Sequence, residues 1–212
     1  MKNYNLYENR FKDLNKRNQT IKIINRHFFQ KFIKPSDNVL DYGSGYCEFI
    51  NNINCSKKFA LDIDPKFKKY VNKDVKFVLS NGIKINIPEI SIDKVFVSNV
   101  FEHIEREKIP VIVQEFYRIL KKNGEVLVLQ PNIRFLTKDF WRFFDHITPI
   151  DDRALDEIFI LNKFTFVKKI LKFLPYTTKD SYPQSSFFIK TYLIFPFFWK
   201  IFGRQSFLVF RK

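Results

Sequence analysis

Asn38-Val39-Leu40-Asp41-Tyr42-Gly43-Ser44-Gly45-Tyr46-Cys47-Glu48 sets the expectation for the whole chain. Val39 and Leu40 form a short apolar run that closes in an acid, the pattern of a buried strand. Gly43 and Gly45 follow at once. Glycine accepts the left-handed backbone of a tight turn and lets a ligand approach the main chain. A helix from about Tyr46 to Asn54 is expected next, presenting its first N–H groups to the same ligand. The pattern recurs in Lys58-Phe59-Ala60-Leu61-Asp62, again an apolar run ending in an acid, 21 residues after Asp41. Pro65 then suits the first turn of another helix, with Asp64 as its cap.

The same alternation extends along the chain. Ile21, Ile24, Phe28 and Phe32 lie at helical spacing, which predicts an amphipathic helix over 19–33. Further strands are expected at Val75–Leu79, Lys94–Val97 and Val126–Leu129. A helix over Ile109–Leu120 is expected to stop at Asn123-Gly124. After Pro131 the rhythm breaks. A Trp/Phe/His-rich insert leads to a helix near 151–162. Strands at Phe164–Phe173 and Ser206–Phe210 bracket the aromatic run Phe187–Phe202. Strands alternating with helices at this spacing predict an α/β fold: a Rossmann-like, doubly wound, mainly parallel seven-stranded sheet with helices on both faces and an antiparallel last strand. The expected organisation is a basic helical extension at 1–34 and one domain over 35–212, with inserts at about 132–150 and 175–203. Ligand should bind beyond the C-terminal ends of the parallel strands.

The glycine turn narrows the ligand. A dinucleotide fold prefers a third Gly or Ala where this chain has Glu48, and a carboxylate there opposes a pyrophosphate. A ligand with positive charge near the loop fits better, and S-adenosylmethionine (SAM) carries a sulfonium and an ammonium. Asp62 stands where an acid suits the two ribose hydroxyls.

The 212 residues carry a formal net charge of +15, unevenly spread. Residues 1–34 balance at +7, residues 163–212 at +9 and the middle at −1. Both flanks therefore suit an anionic partner, a membrane surface or a nucleic acid. Two cysteines, Cys47 and Cys55, with no CxxC pair exclude a zinc ribbon and a disulfide scaffold and favour a reducing compartment. No apolar run approaches the roughly 18 residues a bilayer span needs. A cytoplasmic protein is expected, with a peripheral seat at the inner membrane surface as its further option.

Four motifs in order resemble class I SAM-dependent methyltransferases of the type 11 group: Val39–Gly45, Ala60–Pro65, Ser98-Asn99-Val100-Phe101-Glu102-His103 and Arg118–Glu125. The resemblance covers about 38–132. It implies SAM as cofactor, bound by Asp41, Gly43, Gly45, Asp62, Asn81 and Asn99, with Asn81 standing where the family often has an acid that contacts adenine. It departs at Cys47, where a third glycine is common, and at Asn123-Gly124, where Gly-Gly is usual. Pro131–Arg134, Trp141–His146, Phe173–Thr178 and Gly203–Gln205 resemble bacterial members found near glycan and surface-polysaccharide genes. That implies a small-molecule or saccharide acceptor, a lipid-linked glycan included.

A sugar hydroxyl needs a base as its proton leaves. His103, at the ligand-binding edge, and His146, in the aromatic insert, are the candidates for that role, with Glu102 behind them, while His27 is expected to be structural. Trp141, Phe143 and Phe144 could wall the acceptor site, and Arg134 and Arg142 could hold an acidic group on the acceptor. Two other functions compete: an RNA methyltransferase, suggested by the basic flanks, and a non-catalytic SAM-binding regulator. The post-strand segment Ser98–Phe101 lacks the Asn/Asp-Pro-Pro-aromatic motif of amino-group base methylases, which makes nucleic acid the weaker choice. Pro183–Gly203 is expected to cover the site mouth and touch a membrane.

Overall fold

The computed structural model describes residues 13–136, 138–176 and 185–212. Residues 1–12 of the basic extension, and Thr177, Thr178 and Pro183 among the residues named above, lie outside the described residues. Seven strands form one sheet: β1 (Asn38–Tyr42), β2 (Lys57–Asp62), β3 (Val75–Leu79), β4 (Ile92–Ser98), β5 (Leu120–Pro131), β6 (Thr165–Ile170) and β7 (Gln205–Arg211), in the order β3-β2-β1-β4-β5-β7-β6. Strands β1 to β5 run parallel, and β7 runs antiparallel between β5 and β6. This is the Rossmann-like, doubly wound sheet expected from the alternation. The order reverses between β1 and β4, which opens a crevice at their C-terminal ends. Asp41 pairs in register with Ala60 on one side and Phe96 on the other, so three strand ends meet there.

Each face of the sheet has its own cover. On one face, α2 (Ile109–Ile119) buries Ile109, Ile112, Val113, Phe116 and Ile119, a stripe at helical spacing. Beside it α4 (Asp152–Leu161) buries Leu155 and Phe159, whose ring stacks on Phe210 of β7. Asp151 caps α4 by accepting from the Arg153 and Ala154 N–H groups. On the other face lie α1 (Leu14–His27), a 3-10 turn over Phe29–Phe32, and two short helices, α5 (Ser186–Ile194) and α6 (Pro196–Phe202). A four-residue helix, α3 (Ile133–Leu136), follows β5. Pro196 starts α6 and, lacking an N–H, cannot continue α5.

Three local expectations are corrected. The helix expected over Tyr46–Asn54 is one 3-10 turn, Ile50–Asn52. Asn25 Nδ2 donates to the Glu48 and Phe49 carbonyls, and Asn52 Nδ2 also donates to Glu48. Carbonyls that a helix would use are thus taken by side-chain amides. The segment after Pro65 is likewise a 3-10 helix, Pro65–Tyr70, although Asp64 caps it as expected. Asn123-Gly124 does not cap α2, because Leu120 turns extended and pairs with Ile92. The pair instead exchanges main-chain hydrogen bonds with Lys212, Asn123 taking φ 63°. A Cβ on Gly124 would stand 2.9 Å from the Lys121 carbonyl oxygen.

Candidate functional site

The turn after β1 is built by its own chain. Gly43 (φ 72°) and Ser44 both donate to the Leu61 carbonyl, tying the loop to β2. A Cβ on Gly43 would lie 2.5 Å from Val100 Cγ2, so only glycine fits. Gly45 (φ 48°) donates to Asp62 Oδ2 at 2.8 Å. Cys47 takes φ 59°, the left-handed backbone that a glycine at this position would adopt freely. Its thiol is buried and pushed up to about 12, chiefly by burial and the nearby Asp41, so it is no nucleophile.

Three carboxylates gather around this loop. Asp41 is buried and accepts from the Ile50 N–H, and burial together with Asp62 and Glu48 raises it well above the usual carboxylate range. Asp62 accepts from Gly45 and Asp64 N–H groups and is also raised, chiefly by burial. Burial raises Glu48 despite the Arg17 guanidinium at 3.1 Å. Glu48 Oε1 and Asn25 Oδ1 are buried acceptors with no donor among the described residues. A carboxylate accepts from about four donors, so Asp62 keeps acceptor capacity beyond its Gly45, Ile63 and Asp64 N–H partners. The donor set therefore fits SAM, which brings positive charge and N–H and O–H donors to a loop short of both.

A cavity of about 460 Å³ opens beside the loop, between the second face of the sheet and α1, α5 and α6. Of the six expected cofactor residues, Asp41, Gly43 and Asn99 line it, whereas Gly45, Asp62 and Asn81 do not. Asp62 ends β2, and Asn81 lies two residues past the end of β3. Asn99 holds φ 54°, and its amide donates to Ser98 Oγ. Asn81 is exposed, and its Oδ1 accepts from the Ile83 and Lys84 N–H groups. The Asn81 oxygen thus closes a local turn.

The two histidines, far apart in sequence, meet. His103, His146 and Glu102 all line the cavity, with their carboxylate oxygen and ring nitrogens within 4.8 Å of one another. The His rings touch edge to face at 4.9 Å. His103 Nδ1 lies 2.9 Å from the Asp145 carbonyl oxygen and 3.5 Å from its Oδ2. A carbonyl only accepts, so Nδ1 carries the proton and Nε2 holds the lone pair. Nε2 lies 4.0 Å from Glu102 Oε1. Glu102 is buried, which raises it, and its Oε2 accepts from Gln130. The Ile147 and Thr148 N–H groups both donate to the Glu102 carbonyl and so lock the insert onto the turn after β4. Tyr176 OH stands 3.4 Å from His146 Nδ1. By type these ligands suit a divalent cation, but their spread exceeds the roughly 3.4 Å edge of a tetrahedral zinc site.

The other sequence-derived candidates divide. Phe143 lines the cavity and packs on His146, while Trp141 and Phe144 are exposed away from it. Arg134 is spent on the buried Asp152 at 2.9 Å and does not face the cavity. Neither does Arg142 line it. His27 sits in a surface groove with Arg26 and Lys31. Sequence patterning missed Tyr176, Asn25 and Gln205 as lining residues. Gln205 Nε2 donates to the Pro175 carbonyl, so its buried Oε1 is turned away from that partner and has no donor among the described residues. Tyr176 and Gln205 lie in segments the sequence resemblance marks without giving them a site role, and no sequence signal marks Asn25.

Comparison with known proteins places this geometry. Residues 40–128 match the family described as "Methyltransferase domain". No curated protein matches the chain in sequence. Among solved structures, a SAM-dependent methyltransferase from Archaeoglobus fulgidus is 22% identical, with TM-score 0.71 over 99% of this chain and 100% of its own. A SAM-dependent methyltransferase from Mesorhizobium loti is 10% identical, with TM-score 0.64 over 86% and 95%. Geranyl diphosphate methyltransferase in complex with SAM is 12% identical, with TM-score 0.63 over 92% and 84%. The matched span runs from β1 through the glycine turn to β5, the same segment that carries the loop carboxylates and the turn after β4, and these matches support an S-adenosylmethionine-dependent methyltransferase.

Proposed function

We propose that this enzyme methylates a hydroxyl group on a small-molecule or saccharide acceptor, with His103 as the general base. The carrying observation is the contact between His103 Nδ1 and the Asp145 carbonyl oxygen at 2.9 Å. Its Nδ1–H is held by the Asp145 carbonyl, which leaves the Nε2 lone pair to accept the acceptor's proton inside the cavity. The Asp145 carboxylate at 3.5 Å then stabilises the imidazolium that forms. The Glu102 carboxylate accepts from Gln130 at Oε2, and its carbonyl fixes the insert that carries Asp145 and His146. His146 and Tyr176 position the second wall. The unpartnered Gln205 Oε1 suits a further acceptor hydroxyl, as expected for a sugar or other polyol.

When bound, SAM supplies the electrophilic methyl group, so the protein has only to orient the nucleophile, take its proton and exclude water. We assign Asp62 to the ribose hydroxyls, the Asn81 NH₂ to adenine, and Asp41, Gly43, Gly45 and Asn99 to the loop side. The glycan class follows from the sequence resemblance together with the polyol-suited wall. A lipid-linked glycan is the form that also uses the aromatic helices.

The test is His103→Ala in a labelled-methyl transfer assay on fractionated extract. Turnover should fall about 10²–10⁴-fold, the usual worth of a positioned base. SAM affinity should stay within about threefold, a fraction of the 1.36 kcal/mol that a tenfold change represents. Unchanged turnover would remove the base from the mechanism and point to an acceptor that is already nucleophilic.

A further inference from the structure

We propose that α5 and α6 seat the enzyme on an anionic lipid bilayer and that the cavity draws the apolar part of its acceptor from there; the second clause rests on the hydroxyl-acceptor reading, the first does not. The two helices present large apolar residues outward as well as toward the core. Phe187 is 71% exposed, Ile194 67% and Phe197 66%, and Phe188, Phe195 and Ile201 are exposed beside them. Helices buried in a soluble core turn such residues inward. Here α5 packs one side on α1 and buries Leu193, and Trp199 Nε1 donates to the Tyr192 carbonyl. The rest faces outward. No described helix is long and apolar enough to cross a membrane, so this surface suits the interface plane.

Charge names the partner. Arg26, His27 and Lys31 share a surface groove with Ile194, Pro196 and Trp199. Lys190 stands close enough to His27, together with Arg26 and Lys31, to lower it, after the effect of burial itself. A cationic rim around protruding aromatic residues complements phosphate headgroups over acyl chains.

The cavity continues this surface inward. Phe188, Ile189, Tyr192, Leu193, Phe198 and Phe202 form its α5–α6 wall, and Glu102, His103 and His146 stand at its polar end. Its lining suits an amphiphile, with polar groups at the sheet edge and apolar residues on α5 and α6. Phe187, Ile194 and Phe197 do not line it, which separates docking from acceptor binding.

The experiment is flotation of the full chain with vesicles of phosphatidylcholine alone or with 30% phosphatidylglycerol, a fraction of roughly the kind that gives anionic surface potential. The expected result is flotation with the anionic vesicles that weakens at high salt. The triple variant Phe187→Ser, Ile194→Ser, Phe197→Ser should lose it and keep SAM affinity by calorimetry, which shows that it is folded. A second set, Arg26→Glu, Lys31→Glu, Lys190→Glu, should lose the preference for anionic vesicles. A full chain that stays at the bottom at low salt overturns the proposal. So does sedimentation of the wild type as a dimer that the triple variant turns into a monomer, because a second copy would then own the surface. Neither readout depends on turnover, so loss of the His103 mechanism and loss of the membrane seat are told apart.

Discussion

The two faces of the sheet use similar residues to opposite ends. Under α2 and α4, Phe116, Phe159 and Phe210 are fully buried in one continuous cluster. Under α1, α5 and α6, Phe29, Phe49 and Phe96 are buried too, with Phe49 stacked on Phe96 at 3.6 Å, yet these rings line a cavity. The difference lies in the cover. α2 and α4 run 11 and 10 residues and lay full stripes on the strands. The other face has the 14-residue α1, but also 3-10 turns where longer helices were expected, and two helices of nine and seven residues. A closed face contributes stability, and an incompletely covered one leaves room for a ligand.

The comparison breaks first on core truncation. Phe159→Ala removes a fully buried ring stacked on Phe210, and should cost about 3–5 kcal/mol in urea unfolding. Phe188→Ala, on the open face and half exposed, should cost less than about 1 kcal/mol. Equal losses would mean that the second face is packed as tightly as the first.

On the ligand side, Asp62→Ala should lower SAM affinity about a hundredfold, since charge-assisted hydrogen bonds are worth roughly 1.5–3 kcal/mol each. Calorimetry that finds the wild-type affinity would take Asp62 out of the cofactor site.

The smallest effect is one of sign. Asp41, Asp62 and Glu102 sit above their unfolded values, so the stability they add is complete below the unfolded carboxylate range and is lost as pH rises through their folded values. On the opposite side, burial raises Glu125, but its pairs with Lys94 and Arg211 outweigh it and hold it low. Its contribution is present above the unfolded value and is lost only in acid. The melting temperature without ligand should therefore fall as pH rises from about 5 to 8, and saturating SAM should flatten that fall, since a cation favours the ionised loop. A melting temperature that rises over this range would show that the loop carboxylates are not strained by their burial.

Much of this protein was legible in its residues because the signals are local. Apolar runs ending in Asp41 and Asp62 specify strand ends, glycines at 43 and 45 specify a turn, and the order of motifs carries the cofactor. Buried parallel strands are bounded by turn chemistry that acts over a few residues, which is why the sheet matched expectation. The failures are places where distant groups compete with local preference. Asn25, from α1, takes the carbonyls that a helix at 46–54 would need. Asn123-Gly124 bonds to Lys212 across the sheet instead of closing α2. Arg134 meets Asp152. The meeting of His103 with His146, the Nδ1 proton set by Asp145 and the donor-starved oxygens of Asn25 and Gln205 arise only in three dimensions. Each depends on partners 23 or more residues away, and hydrogen-bond direction between such groups leaves no periodicity in a sequence.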